Sequence, residues 1–260
     1  MRINIAHDAR PQVRTLLFAA ALTVFLWFIP FAEILTYPFR IFVTFIHEGG
    51  HAIAALLTGN TVQSLSVALN GSGEVYSTTG GLFSQMFVSS AGYLGAMAFG
   101  TMLLMLIRRT VAARFVLVGS AALILILTVA YGFFSPLMHG SLPSLFTLVA
   151  GVALPAGLIA AARFATPRVA TFLVSFLAVQ CVLNALFDLK NVLFMSSPFA
   201  LGTHTDATNM AQATGIPQIF WALIWVGLAF AILSLALRAY AVSKDQPSQP
   251  DLPFEDPLDI

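Results

Sequence analysis

Two imidazoles and a carboxylate fall within five residues of one another in His47-Glu48-Gly49-Gly50-His51. On a helix, residues four apart share a face, so His47 and His51 can both turn a ring nitrogen toward a single cation. Glu48 follows the first of them directly and so lies beside that cation without needing to bind it. In this arrangement two histidines hold zinc while the glutamate takes a proton from a water molecule. The metal lowers that water's pKa to about 7, and Glu48 would then return the proton to a leaving amine. Gly49 and Gly50 add no bulk between the ligands, which would leave room for a substrate backbone.

Catalytic zinc takes three protein ligands, so a third must come from elsewhere in the chain. Two aspartates compete. Asp188 sits at the end of an apolar run, four residues after Asn184, and both would face one side of a helix. Asp206 lies in the polar stretch Gly202-Thr203-His204-Thr205-Asp206. Asp188 is preferred, because a carboxylate in a membrane helix needs a reason to be there. The plainer reading of Asp188 is an interface residue near Lys190; that of Asp206 is a helix N-cap or turn residue.

The elements that must position these groups are membrane helices. Of 260 residues, 58% are hydrophobic and only 9% charged, against about 25% charged in soluble domains. Mean hydropathy is +0.89. A bilayer core of about 30 Å takes roughly 20 apolar residues per helix, and the chain holds several such runs. In that setting three ionisable groups in one apolar segment are costly, hence functional by default. The net charge of +1 gives no electrostatic reason to bind nucleic acid. The one cysteine, Cys181, excludes an internal disulfide and reads as a small packing residue.

Residues 1–13 form a polar arm, 14–240 a membrane-embedded domain, and 241–260 a Pro-, Asp- and Glu-containing tail expected to be disordered. The first span runs from Leu16 to about Leu35, interrupted by Pro30 and by Glu33. A second helix, bearing the histidines, starts after Pro38, since proline suits a first turn, and ends at Gly59-Asn60. Further spans cover Phe83–Ile107, Phe115–Phe134, Leu142–Ala162, Val169–Leu189 and about Pro217–Leu237, with a polar loop over 191–216. The fold class is thus an all-α membrane bundle of about seven helices. If all of them cross, Arg108, Arg109, Arg114, Arg163, Arg168, Arg238 and Lys244 share one side, which the positive-inside rule makes cytoplasmic.

Residues 61–80 differ in kind. Val62, Leu65, Val67 and Leu69 nearly alternate with polar residues before Asn70-Gly71, which is a hairpin signal. Such a hairpin could add an unwound substrate as a further strand beside the metal.

The segment Tyr37-Pro38-Phe39-Arg40, continuing through Phe42 to Ala52 and on to Thr58-Gly59, resembles the site-2 protease group of intramembrane metalloproteases, peptidase family M50. The M50B-like branch is the nearest in pattern, with Ser90-Ala91-Gly92-Tyr93-Leu94-Gly95 and Thr205-Asp206-Ala207 also similar to it. The resemblance implies a zinc-dependent endopeptidase of a multi-pass membrane protein, with the bacterial inner membrane as the expected setting. It implies membrane protein or peptide substrates cut within or beside their spans, with the lipid bilayer as surroundings. The family's later pattern of Asn, prolines and Leu-Asp-Gly is absent, which leaves the third ligand open. The alternative is a non-catalytic binding or regulatory module that keeps the M50-like fold.

Overall fold

The computed structural model describes residues 10–26, 28–78, 80–108, 112–195 and 205–241. The arm and tail inferred from the sequence lie outside these residues, apart from Arg10–Val13 and Ala241.

Among the described residues, nine α-helices and one hairpin follow in order: α1 (Arg10–Leu26), α2 (Ala32–Leu57), β1 (Val62–Val67), β2 (Gly73–Ser77), α3 (Leu82–Arg108), α4 (Ala113–Leu127), α5 (Ser135–Met138), α6 (Leu145–Phe164), α7 (Pro167–Met195), α8 (Asp206–Thr214) and α9 (Gln218–Ala241). A π-helical stretch, Thr128–Phe134, joins α4 to α5. The continuous helix Ala113–Met138 and four others (Leu82–Ile107, Leu145–Phe164, Pro167–Phe194, Gln218–Ala239) are long and apolar enough to cross a membrane. Among the described residues five spans thus meet that test, against the expected number of about seven. The two that fall short are α1, whose apolar part is only Arg14–Leu26, and α2, which carries Glu33, Arg40, Glu48 and two histidines.

Three boundaries differ from expectation. The first apolar run is split, because Pro30 cannot continue α1 and Phe31 takes a left-handed turn with φ 65. Pro38 lies inside α2 rather than opening it. Within the presumed polar loop, α7 runs on to Met195 and residues 206–214 form α8. Thr205 caps α8 with its side chain, in a capping box with Thr208, and Gly215 closes it in the left-handed conformation.

Phe42, Phe45, Met97, Leu103, Leu117, Ile124, Leu177 and Trp225 are almost wholly buried, so the core lies among α2, α3, α4, α7 and α9. Cys181 is buried in it, against Gly100 of α3. Outward, the helices expose Phe115, Ile126, Leu145, Phe164 and Leu235, the surface a bilayer requires rather than water.

The hairpin is antiparallel, with Leu65 opposite Val75, Ser66 opposite Glu74 and a register shift between Val62 and Ser64. Its turn is a wider loop in which Ala68 N donates to Ser72 O (2.8 Å) and Gly71 N to Ala68 O (2.9 Å). Gly71 has φ 84, and a Cβ there would strike the Arg40 guanidinium, so glycine is needed twice over. The loop is pinned to α2, where Thr44 Oγ1 donates to Gly71 O (2.8 Å) and Tyr37 Oη to Leu69 O (2.7 Å). The hairpin therefore lies along α2, between it and the π-helical stretch.

Candidate metal centre

α2 carries His47, Glu48 and His51 on its inner side. Nε2 of His47 and Nε2 of His51 approach to 3.1 Å. The first residue of α8 meets them: Asp206 Oδ2 lies 3.5 Å from His47 Nε2 and 3.3 Å from His51 Nε2. A cation about 2.0–2.1 Å from each of three ligand atoms at tetrahedral angles would hold those atoms roughly 3.3 Å apart. The triangle fits a zinc ion's face. Among the described residues, this is the group of three or more His, Cys, Asp or Glu that could share a metal.

The imidazoles are held from behind. His51 Nδ1 is 2.7 Å from Val88 O on α3; donating there fixes the tautomer that leaves Nε2 free, as ligand histidines usually arrange. The His47 ring meets the edge of Tyr93 at 4.7 Å between centroids, and Tyr93 in turn lies 5.6 Å from Trp225 of α9. Trp225 Nε1 donates to Ser90 Oγ (3.0 Å). Asp206 is set by the cap at Thr205 and by α8's ties to α9, where Trp221 Nε1 donates to Thr214 Oγ1 (3.1 Å). Burial alone would raise the Asp206 carboxyl, but the two imidazoles beside it outweigh burial and hold it below the ordinary carboxylate range.

Two glycines make the site possible. A Cβ on Gly92 of α3 would fall on Nε2 of both histidines, and one on Gly73 of β2 would fall on the Glu48 carboxylate. Glu48 is only 5% exposed and borders a cavity of about 820 Å³. That cavity runs along β2 from Ser72 to Thr78, with Asn60, Ser84 and Gln85 at its far end and Asp206, Asn209 and Gln212 of α8 across from the strand.

His47, Glu48 and His51 therefore come together as the spacing anticipates. Of the two aspartates, the structure brings Asp206 to the imidazoles. Asp188, preferred on sequence grounds, remains on α7, exposed and within electrostatic reach of His47 but outside the triangle. Gly49 and Gly50 do not face the cavity. They let α2 press on Leu127 of α4 and on the Ala91 carbonyl of α3. Nothing local in the sequence shows that Gly92 and Gly73 each make room for a site group.

The sequence profile of the Peptidase M50B-like family matches residues 16–236. The chain belongs to that family. The match runs from within α1 to within α9 and includes the two histidines, Glu48 and Asp206. No curated protein and no solved structure matches the chain. M50B-like membership makes this a protein of a membrane peptidase family, with a His-His-Asp group close enough to bind a metal.

Proposed function

We propose that the protein is a zinc-dependent intramembrane endopeptidase in which His47, His51 and Asp206 hold the metal and Glu48 is the general base. The observation that carries this reading is the ligand triangle with its 3.1–3.5 Å sides, set beside a buried carboxylate at the head of a strand-lined cavity. When bound, zinc would supply Lewis acidity and bring the pKa of water to about 7. Glu48 takes a proton from the attacking water, the oxygen adds to the peptide carbonyl, and Glu48 passes the proton to the amide nitrogen as the C–N bond breaks. The products are a carboxylate and an amine.

A helical substrate must be extended before its peptide bond can reach the centre, and β2 supports a route. Ala68 and Ser72 bond each other, as do Thr61 and Thr78; alternation along β2 then turns the N–H and C=O of Gly73, Val75 and Ser77 away from β1, toward the cavity. A substrate segment can pair there as a third strand, with its cleaved bond near Gly73 and hence near Glu48.

Metal analysis of purified protein tests the proposal together with the choice of aspartate. Zinc is expected at one per chain in wild type and in Asp188→Ala, and lost in His47→Ala and Asp206→Ala. Glu48→Gln should keep zinc while cleavage of a transmembrane reporter falls by about 10²–10⁴. Cleavage that survives Glu48→Gln would instead favour a non-catalytic module with contaminating activity.

A further inference from the structure

The cavity beside the centre is walled by carboxylates and neutral groups. Glu48, Glu74 and Asp206 line it, with no lysine or arginine among the described lining residues. Asn60, Gln85, Asn209 and Gln212 bring amides, and the rest of the polar lining is mostly hydroxyl. On the reading above, Asp206 and Glu48 together balance a divalent cation held by two neutral imidazoles, so Glu74 is the charge left over. Arg40 does not offset it from within the cavity, being packed on the turn at Gly71 and over the Tyr37 ring at 5.5 Å.

Glu74 is also well placed. It follows Gly73, whose backbone abuts Glu48, and Glu48 feels its charge. The alternation of β2 sets Glu74, Tyr76 and Thr78 on the exposed face, with Gly73, Val75 and Ser77 more covered. A strand added to β2 would carry every second side chain on that same face, about 5–8 Å from Glu74 whether opposite or diagonal. A lysine or arginine spans that gap with its stem along the strand and its charge at the carboxylate.

We infer that Glu74 is a specificity-determining residue that selects substrates bearing lysine or arginine within two residues of the cleaved bond and disfavours aspartate or glutamate there. The inference rests on the proteolytic reading. It suits membrane substrates, whose spans commonly end in lysine or arginine on the cytoplasmic side.

The test uses full-length protein in detergent micelles and one transmembrane reporter peptide with a mapped cleavage position. Lysine, alanine or glutamate is placed in turn at the two residues on each side of the bond. In wild type, lysine should exceed glutamate in kcat/KM by about tenfold at one or more positions. Glu74→Gln should bring the ratio close to one and Glu74→Lys should invert it, with zinc content showing that each variant keeps its centre. A wild-type ratio near one at all four positions, or a ratio that Glu74→Lys leaves alone, overturns the inference. If wild type cleaves no reporter, or Glu48→Gln cleaves as well, the proteolytic reading fails instead. Fluorescence anisotropy of the same peptides then decides: lysine binding tighter than glutamate, inverted in Glu74→Lys, upholds the role of Glu74, and equal affinities remove it.

Discussion

The two long edges of the hairpin meet opposite fates. Along β1, the outward backbone groups are taken up by helices. Val67 N donates to Thr147 Oγ1 (2.8 Å), which itself donates to Val67 O (3.1 Å), and Ser135 Oγ donates to Val62 O (2.6 Å). The π-helical stretch packs along β1 just ahead of Ser135. Along β2, no described element bonds the outer edge, and the cavity follows it from end to end. Strand edges cannot face lipid with their polar groups unmet. The difference teaches that β1 is the structural edge, sealed by hydroxyls, while on the proposed function β2 is the working edge, left to a visiting chain.

The sharpest way to break this contrast is at Gly73, where any branched side chain must displace the Glu48 carboxylate. Gly73→Val is expected to cut reporter cleavage by about 100-fold, the usual cost of a misplaced catalytic group, with zinc content unchanged; retained activity would show that Glu48 is not the base. Val75→Pro is milder. It removes one outward N–H without touching the β1 pairing, and about tenfold lower cleavage is expected from the lost hydrogen bond, with an unaltered unfolding midpoint. Cleavage equal to wild type would mean that substrates do not pair with β2. Thr147→Val probes the sealed edge. It strands a buried N–H and C=O, so stability should drop by about 1–3 kcal/mol while turnover per folded molecule stays put. The reverse pattern, with stability intact and turnover reduced, would make β1 the edge that substrates use.

What the sequence could convey about the site followed the range of the forces involved. His47, Glu48 and His51 were legible because a helical turn alone puts them together. The hairpin was legible because alternation and Asn70-Gly71 are local too. The proposed third ligand was not, since Asp188 and Asp206 can be ranked only by where α7 and α8 pack. Burial cost pointed to Asp188, yet that residue stays on α7, outside the triangle. Asp206, which resembled a turn residue, gains its position from Thr205 and from contacts with α9 that lie outside any local window. Proline misled at Pro38 and was informative at Pro30. Pro38 sits inside α2, and Pro30 ends a run that hydropathy alone would have carried through to Leu35.

The proposed ligand on α8 has a mechanical consequence. That helix has nine residues, too few to persist alone in water, and it forms the wall of the cleft facing β2. An ion shared between it and α2 would act as a clasp, fastening a weakly self-sufficient piece to the rigid bundle by drawing on its own coordination energy. Chelation should therefore loosen the cleft before it loosens the protein. Amide hydrogen exchange in Asp206–Thr214 is expected to quicken first, while the buried stretches of α3 and α7 stay protected; acceleration spread evenly over all three helices would mean that the clasp holds nothing in particular.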